Sequence, residues 1–152
     1  MQQIAYEDPR ADDVCALLEA HLAFARAASP PEDVHALDVA GLLDPSVSFF
    51  GLRVGGELLA VGAVKRLSVS HAEIKSMHTA AAARGQGLGR AMLLHLLSFA
   101  RAENLARVSL ETGSMAEFAP ARALYASVGF VECAPFGDYV ASPHSTFMTV
   151  LL

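Results

Sequence analysis

The sequence predicts a single domain with a mixed α/β fold, in which helices cover one mixed sheet, and three observations lead to this prediction. Short apolar runs of strand length alternate with longer stretches whose apolar residues recur at helical spacing. The chain has 152 residues, which is close to the commonest size of one compact domain. It contains no repeat, low-complexity tract or linker, so we expect a single domain over residues 1–152.

The N-terminal third is expected to contain a strand followed by two helices. Residues 4–6 suit a short strand, and Asp12 or Asp13 is expected to cap the first helix. A Ser-Pro-Pro segment ends this helix. The second, shorter helix is expected around residues 33–43 and ends at Asp44, because the residue before a proline is pushed out of the α region.

The rest of the chain predicts strands separated by two further helices. The pair Gly55-Gly56 joins two apolar runs and supplies the positive φ angles of a tight hairpin turn. Proline in a first turn and glycine after a last turn frame a later helix. In order, we expect strands at 47–54, 57–67 and 72–79, a helix with Leu88, Met92, Leu96 and Phe99 on one face, a strand at 108–112, a helix at 120–128, and strands at 130–133 and 146–151.

The composition argues against several classes of protein. Hydrophobic residues make up 53% and charged residues 18%, which does not suit a disordered chain, and no apolar run reaches the roughly 20 residues that span a bilayer. The net charge of −5 argues against a nucleic-acid partner and suits a cationic substrate. Residues 1–10 lack a secretory pattern, and Cys15 and Cys133 form no metal motif. We therefore expect a cytoplasmic protein without a membrane partner or metal.

Residues 84–89, Arg-Gly-Gln-Gly-Leu-Gly, form the most informative segment. They lie between a predicted strand and a long helix, where glycines let backbone amides approach an anion closely. Free N–H groups and the positive end of the helix dipole favour a pyrophosphate, and Arg84 and Arg90 add positive charge. A glycine-rich turn without a ligand is the alternative, since such a motif alone is weak evidence.

The position and composition of this loop argue against two common nucleotide sites. A dinucleotide-binding fingerprint belongs in the first βαβ unit, with an acidic residue about 20 positions later, whereas this loop lies past the middle of the chain. A Walker loop requires a lysine and a hydroxyl residue after its last glycine, and neither follows Gly89. A coenzyme that carries a pyrophosphate remains.

In this loop and in two further segments, the sequence resembles the GNAT superfamily of N-acetyltransferases. Arg84, Gly87 and Gly89 meet the family's loop pattern of Arg or Gln, two residues, Gly, one residue, then Gly or Ala. Residues 73–79 stand where the family has its fourth strand, and residues 124–130, Leu-Tyr-Ala-Ser-Val-Gly-Phe, are similar to its LYxxxGF element. More narrowly, the YsnE-like branch of acetyltransferases is suggested by three segments: 110–113, 135–139 and 145–148.

The resemblance implies the GNAT fold and acetyl-CoA as co-substrate. That fold has a central mixed, mostly antiparallel sheet of six to seven strands, about four helices, and splayed fourth and fifth strands that hold the pantetheine arm. Several GNAT enzymes bond this arm with an asparagine where this chain has Phe118, which predicts an apolar wall. The residues implied to bind the coenzyme are Met77, His78, Thr79, Arg84, Gly85, Gln86, Gly87, Leu88, Gly89 and Arg90.

The resemblance also implies the catalytic residues. Acetyl transfer requires a base for the acceptor amine and an acid for the departing thiolate, and positioned groups typically accelerate such steps about 100- to 10,000-fold. Tyr125 occupies the position of the family's acid, and the alternative is a core tyrosine with a satisfied hydroxyl. Glu73 occupies the position of a glutamate base in some members, and the alternative is a solvated strand residue paired with Lys75. His71, His78 and Glu111 are the alternative bases, and a neutral imidazole is well suited to proton transfer near pH 7.

The acceptor site is expected to lie near the loop that contains Asp138 and Tyr139. Asp138 could pair with a cationic acceptor and Tyr139 could line the pocket, or both could only order the turn. Glu111 is the third expected acceptor contact, and His21 and His35 could face the pocket or lie on a solvated helix face. The predicted function is an acetyl-CoA-dependent N-acetyltransferase for a primary amine of a small molecule or amino acid. The alternatives are a protein or peptide acceptor, a non-catalytic acyl-CoA-binding module, and a purely structural domain. The family suggests a homodimer.

Overall fold

One seven-stranded sheet runs through the computed structural model, which describes residues 1–152. All neighbouring strands are antiparallel except the pair β4 and β5. The strands, in their order across the sheet, are β1 (Gln2–Tyr6), β2 (Val47–Val54), β3 (Glu57–Arg66), β4 (His71–Thr79), β5 (Arg107–Gly113), β7 (Ser145–Leu151) and β6 (Val131–Glu132). The helices are α1 (Asp12–Ala28), α2 (Val39–Leu42), α3 (Leu88–Ala102) and α4 (Ala119–Ser127). The predicted fold class is confirmed.

The parallel strands β4 and β5 separate soon after they begin. Residues 71–73 pair with residues 107–109, and no pairing between the two strands follows. Strand β4 nevertheless continues to Thr79, and β5 continues to Gly113. The two strands therefore splay, and the backbone of β4 beyond Glu73 has no strand partner on the side of β5.

A β-bulge bends β4 within this opening. Between the pairs Val61–His78 and Ala63–Lys75, two residues of β4 oppose the single Gly62 of β3. One of those two residues, Ser76, has a φ of 56°, a left-handed conformation that is uncommon for a residue with a side chain. Bulges increase the local twist of a strand and redirect its side chains, so this bulge shapes the wall of the opening.

Helices cover both faces of the sheet and bury one apolar cluster on each. On one face, α3 packs Met92, Leu93 and Leu96 against the sheet, and all three side chains are fully buried. A Cβ at Gly62 would lie 3.0 Å from Met92 and from Leu96, so glycine lets α3 approach β3 closely. On the other face, the helices α1 and α2 bury Val14, Leu17, Leu18 and Leu42 against Phe49, Val61 and Ala63.

Two predictions for the N-terminal region are wrong in detail. The cap of α1 is Ala11, which makes no side-chain cap, whereas Asp12 and Asp13 lie in the first helical turn. There their charges favour the positive end of the helix dipole, and Asp13 Oδ2 also accepts a 2.7 Å hydrogen bond from Arg53 Nη1. The aspartates therefore stabilise the start of α1 by charge rather than by capping.

The helix expected over residues 33–43 is much shorter in the structure. A 3-10 turn at Pro31–Asp33 is followed by irregular backbone and then by α2. Asp38 caps α2 by accepting a 2.8 Å hydrogen bond from the Gly41 amide. Short helices need tertiary packing to be stable, and this segment buries only Leu42. None of the helices has both the length and the apolar character to cross a membrane.

Candidate active site

A cavity of about 590 Å³ occupies the opening between β4 and β5. Its walls include residues 73–79 of β4, residues 111–113 of β5 and most of the loop at the start of α3. Helices α1 and α4 contribute as well, and the lining is completed by Ser29, residues 33–36, residues 117–118 and Tyr139. We call the part at residues 84–90 the loop end and the part around Glu73 the carboxylate end.

The loop end presents a row of free backbone amides. Gly85 and Gly87 both have a φ of 78°, and Gly87 is the N-cap of α3. The N–H groups of residues 85–90 donate no hydrogen bond to the protein, because the first helical bond runs from the Ala91 amide to the Gly87 carbonyl at 3.0 Å. Amides at the positive end of a helix dipole bind anions, so this row suits a pyrophosphate.

Two arginines flank the same end. Arg84 Nε donates a 3.3 Å hydrogen bond to the Thr79 carbonyl, and its guanidinium lies 5.9 Å from the centre of the Phe24 ring. Arg90 Nη1 donates a 3.1 Å hydrogen bond to Ser127 Oγ. Both cations thus lie beside the free amides, where they add attraction for an anion.

The predicted coenzyme residues gather at this end with one exception. Gln86 does not line the cavity. Leu88 turns its side chain into the core, so only its backbone can serve a ligand. The members that line the cavity are Met77, His78, Thr79, Arg84, Gly85, Gly87, Leu88, Gly89 and Arg90. Phe118 lies 5.3 Å from Phe24, ring centre to ring centre, so the wall at the asparagine position of other family members is apolar.

His78 is hydrogen-bonded to a second histidine. Its Nδ1 lies 3.3 Å from Nδ1 of His21, and both residues line the cavity. Burial lowers the pKa of each imidazole to about 4. Both rings are therefore neutral near pH 7, and neither takes up a proton readily there. The pair joins α1 to β4 across the cavity wall.

Tyr125 lies on α4 and lines the cavity. Its ring packs against Phe130 at 5.8 Å between ring centres. Burial, with a smaller contribution from the charge of Glu111, raises the pKa of its hydroxyl to about 12. The hydroxyl is therefore protonated at neutral pH, so it can donate a hydrogen bond or a proton.

Glu73, Lys75 and Tyr139 form a closed hydrogen-bonded triad at the carboxylate end. Glu73 Oε2 accepts a 2.5 Å hydrogen bond from the Tyr139 hydroxyl and a 3.2 Å hydrogen bond from Lys75 Nζ. Lys75 Nζ also donates to the Tyr139 hydroxyl at 2.9 Å. The side chains of Glu73 and Lys75 are only 6% and 9% exposed, so this ion pair is buried.

Glu111 is a second carboxylate at the same end, and it takes part in no salt bridge. Burial raises the pKa of its carboxyl to about 7, the Ser145 hydroxyl and the charge of Lys75 oppose the rise, and the nearby charges of Glu73 and Asp33 add to it. At neutral pH it is therefore divided between the acid and carboxylate forms, which suits a group that exchanges protons.

Of the remaining candidate residues, one lines the cavity and two do not. Asp138 is exposed and does not line the cavity. His71 lies at the start of β4, outside the cavity lining, where Nε2 is hydrogen-bonded to Ser109 Oγ at 2.7 Å. His35 lines the cavity, with its ring centre 5.0 Å from that of Tyr139.

Sequence reasoning missed two contributors to the cavity, Phe24 and Asp33. Asp33 Oδ2 accepts a 3.0 Å hydrogen bond from Ser142 Oγ, which joins the segment after α1 to the loop before β7. The two residues are 109 positions apart in the chain, and no local pattern signals such a contact. Phe24 falls on the cavity side of α1, which helical periodicity could have indicated.

Comparison with known proteins finds a matching family and similar proteins. The model of the Acetyltransferase (GNAT) family matches residues 14–130. The chain is 43% identical over 146 residues to the uncharacterized N-acetyltransferase YsnE of Bacillus subtilis (strain 168), covering 96% of this chain and 97% of that protein.

Solved structures share the fold over the full chain. A protein of Klebsiella pneumoniae subsp. pneumoniae MGH 78578, named as a candidate acyl-CoA N-acyltransferase, has a TM-score of 0.85 at 28% identity, covering 100% of this chain and 98% of its own. A Bacillus subtilis acetyltransferase in complex with CoA has a TM-score of 0.75 at 17% identity, covering 100% and 99%. The family match and the near full-length likeness to YsnE agree with the splayed strands and the loop, and the chain therefore belongs to the GNAT acetyltransferase family and is an acyltransferase.

Proposed function

We propose that the protein transfers the acetyl group of acetyl-CoA to a primary amine of a small molecule or amino acid. One observation carries the proposal: a single cavity has free amides at one end and proton-exchanging side chains at the other. An acetyl-CoA-dependent transferase requires both, because the coenzyme must be held by its phosphates while its thioester reaches the acceptor. The expected homodimer and the cytoplasmic location stay predictions of the sequence.

The loop end would hold the coenzyme. The amides of residues 85–90 would bind the pyrophosphate, because glycines at 85 and 87 leave no side chain between them and an anion. The backbone of Met77 to Thr79, which has no partner strand on the side of β5, would pair with the pantetheine arm. Phe24 and Phe118 supply an apolar surface in the same cavity.

The acid would be Tyr125. Its hydroxyl is protonated at neutral pH because burial raises its pKa to about 12, and the residue lines the cavity between α4 and β5. A departing thiolate is stabilised by a nearby O–H donor, so this tyrosine would assist the breaking of the C–S bond. Its place in the LYxxxGF element of the family supports the same role.

The charges of the carboxylate end suit an amine that arrives as a cation. Three carboxylates, those of Asp33, Glu73 and Glu111, line this end with the single ammonium of Lys75. The cavity's arginines, Arg84 and Arg90, belong to the loop end. Opposite charges attract most strongly where water is excluded, so this end favours a cationic acceptor over an anionic one.

A small acceptor fits better than a folded protein. The loop before β7 closes over the carboxylate end, because Ser142 is hydrogen-bonded to Asp33 and Tyr139 is hydrogen-bonded to Glu73. A protein or peptide acceptor would require this cover to open. A non-catalytic acyl-CoA-binding module would have no use for the protonated tyrosine beside a carboxylate of pKa about 7.

The test is the release of CoA thiol from acetyl-CoA by the purified protein with pooled amines. The pools are amino acids, polyamines, aminoglycosides and short lysine peptides, each compared with an acceptor-free blank. We expect acceptor-dependent release with a small-molecule pool. Release only with the lysine peptides would favour a peptide acceptor, and acetyl-CoA binding without release from any pool would favour the non-catalytic module.

Tyr125→Phe tests the acid in the same assay. We expect kcat to fall about 100-fold or more, the usual contribution of a positioned proton donor, while the affinity for acetyl-CoA stays as in the unmodified protein. The matched control is Tyr6→Phe, which removes a hydroxyl from a largely exposed residue on β1. If Tyr125→Phe kept full turnover, another group or water would be the proton donor.

A further inference from the structure

We propose that Glu111, rather than Glu73, removes the proton from the acceptor amine, and that Glu73 positions the loop before β7 through Tyr139. The inference rests on the proposed function, since it assigns roles within the same reaction. It depends on how the two carboxylates are hydrogen-bonded and on where they lie relative to Tyr125. The charged and titratable groups that act on Glu111 are Glu73 and Lys75 from β4, Asp33 from the turn after α1, Tyr125 from α4 and Tyr139 from the loop before β7.

Glu73 is poorly placed to accept a proton. Its Oε2 already receives hydrogen bonds from Lys75 at 3.2 Å and from Tyr139 at 2.5 Å. Lys75, whose side chain is only 9% exposed, has Glu73 as its ion-pair partner. The triad therefore engages Glu73 Oε2 with two donors of the protein, and an acceptor amine would have to displace one of them to reach this oxygen.

Glu111 differs from Glu73 in its partners, because it forms no ion pair and the one side-chain donor that acts on its pKa is the uncharged hydroxyl of Ser145. It lies on β5 two residues beyond Ser109, the last residue of β5 that pairs with β4, and it lines the cavity where the two strands have separated. No cation is bound to it, because Lys75 is paired with Glu73. Burial raises the pKa of Glu111 to about 7, near the value that makes a general base most effective at neutral pH.

Glu111 interacts electrostatically with Tyr125, the proposed acid. The charge of Glu111 contributes to the raised pKa of Tyr125, so the two side chains lie within electrostatic reach of each other. They come from β5 and α4, which both border the cavity. An acceptor nitrogen and a thioester held between them would meet a proton acceptor and a proton donor in the same space.

In the proposed step, Glu111 is the proton acceptor and Tyr125 is the proton donor. An acceptor ammonium gives one proton to the Glu111 carboxylate, and the nitrogen lone pair then forms the N–C bond to the thioester carbonyl carbon. The C–S bond breaks with its electron pair on sulfur, which takes the proton of the Tyr125 hydroxyl. The excess proton on nitrogen replaces that of Tyr125 through solvent, and Glu111 releases its proton to solvent. The products are the amide, the CoA thiol and one proton.

Glu73 then acts through its partners. The Tyr139 hydroxyl is tied to Glu73 and Lys75, and the Tyr139 ring packs against His35 at 5.0 Å between ring centres. The hydrogen bonds of Tyr139 hold the loop before β7 against β4 and so shape the carboxylate end of the cavity. Glu73 is thus a positioning residue, and its loss should affect acceptor binding more than proton transfer.

The experiment compares Glu111→Gln and Glu73→Gln in pH profiles of kcat/KM for the best acceptor at saturating acetyl-CoA. In the unmodified protein, the rate should rise about tenfold per pH unit up to about pH 7 and then level off. Glu111→Gln should lose at least about 100-fold in kcat together with this acidic limb. Glu73→Gln should raise the acceptor KM and keep the limb. The control Glu57→Gln, at an exposed position of β3, should change neither.

Two outcomes would overturn the inference: Glu73→Gln abolishes the acidic limb, or Glu111→Gln keeps kcat within about threefold of the unmodified protein. If Glu73→Gln fails to fold, Tyr139→Phe breaks the same triad without leaving Lys75 unpaired and should likewise raise KM while keeping the limb. The affinity for acetyl-CoA, measured in parallel, should be unchanged in every variant.

A direct titration separates this inference from the proposed function. In protein with ¹³C-labelled glutamate carboxyl groups, one resonance should titrate near the value of about 7 that burial gives Glu111. That resonance should vanish in Glu111→Gln and persist in Glu73→Gln. Because no acceptor is present, the absence of such a resonance would overturn the inference even if acetyl transfer were observed. Its presence without turnover would instead count against the proposed function.

Discussion

At the residue scale, carboxylates of the same chemical type have different properties because their surroundings differ. Glu73 is held by two donors inside the protein, whereas Glu111 is largely desolvated and unpaired with a cation. Asp138, which the sequence offered as an acceptor contact, is exposed to solvent. Desolvation disfavours a charge, so the surroundings of Glu111 raise its pKa, whereas Glu73 is engaged in an ion pair and a hydrogen bond within the protein.

The raised pKa of Glu111 makes folding stability depend on pH. The folded-state pKa is about 7 and the ordinary value is 4.5, so between these values the folded protein holds a proton that the unfolded chain has lost. The contribution of Glu111 to stability therefore falls as the pH rises through this window. Glu111→Gln removes the cost of ionising a buried carboxyl, and its stability relative to the unmodified protein should improve by about 1 to 3 kcal/mol between about pH 5 and pH 8.

Urea denaturation of both proteins at the two pH values measures this difference. The control is Glu57→Gln, an exposed glutamate whose replacement should change stability equally at both pH values. A difference between Glu111→Gln and the unmodified protein that does not grow with pH would show that Glu111 ionises as freely in the folded protein as in the unfolded chain.

At the scale of elements, two features of the strands and one loop create the site. The separation of β4 from β5 opens the sheet, the bulge at Ser76 and Met77 bends β4 within the opening, and the loop before α3 lines the cavity with amides that have no partner in the protein. Glycine at position 87 is required by its φ of 78°. A residue with a Cβ in this conformation costs about 1–2 kcal/mol.

Gly87→Ala should reduce both stability and coenzyme affinity. Nothing lies within 4 Å of a Cβ built at this position, so the effect would come from the backbone. We expect a loss of about 1–2 kcal/mol in the free energy of unfolding and at least a tenfold, or about 1.4 kcal/mol, loss in acetyl-CoA affinity as the amides reorient. Chemical denaturation and calorimetric titration would measure the two effects.

The hairpin between β2 and β3 provides a matched control. Gly55 has a φ of 58°, and a Cβ there would also meet nothing within 4 Å, but the residue does not line the cavity. Gly55→Ala should therefore lose similar stability and keep normal affinity for acetyl-CoA. Equal affinities in the two variants would mean that the backbone of the loop does not contribute to coenzyme binding.

At the scale of the whole molecule, the cavity lies where the elements of the two apolar clusters meet. The cluster with α3 and α4 supports the loop end and Tyr125. The other cluster includes residues of α1, and α1 brings His21 and Phe24 to the cavity. A ligand in the cavity would contact parts of both halves, so binding should stabilise the fold as a unit.

Acetyl-CoA should therefore raise the melting temperature of the protein. At a free concentration of about 100 times Kd, a ligand that binds only the folded state adds about 2.7 kcal/mol to the free energy of unfolding. For a domain of this size, that corresponds to a rise of several degrees. Thermal denaturation over a series of acetyl-CoA concentrations measures it, and Gly87→Ala should need higher concentrations for the same rise. No shift at any concentration would contradict coenzyme binding.

Local patterns in the sequence determined the order of the elements and much of the loop end. The hairpin at Gly55-Gly56, the glycines before α3 and the glycine after α4 each have a positive φ, a requirement that a single residue type reveals. Where the local signal was weak, as in residues 33–43, the predicted helix was largely absent. Backbone conformation is encoded mainly by neighbours in the chain, so these features could be inferred before the fold was known.

The tertiary structure alone decided the chemistry of the carboxylate end. Tyr139 meets Glu73 across 66 positions of sequence, and Ser142 meets Asp33 across 109. The sequence singled out Glu73, Glu111 and Tyr139 and offered Lys75 as a partner of Glu73, but it could not indicate that this ion pair would be buried or that Glu111 would be desolvated. Ionisation depends on burial and on partners brought together from distant parts of the chain, and those are properties of the folded molecule.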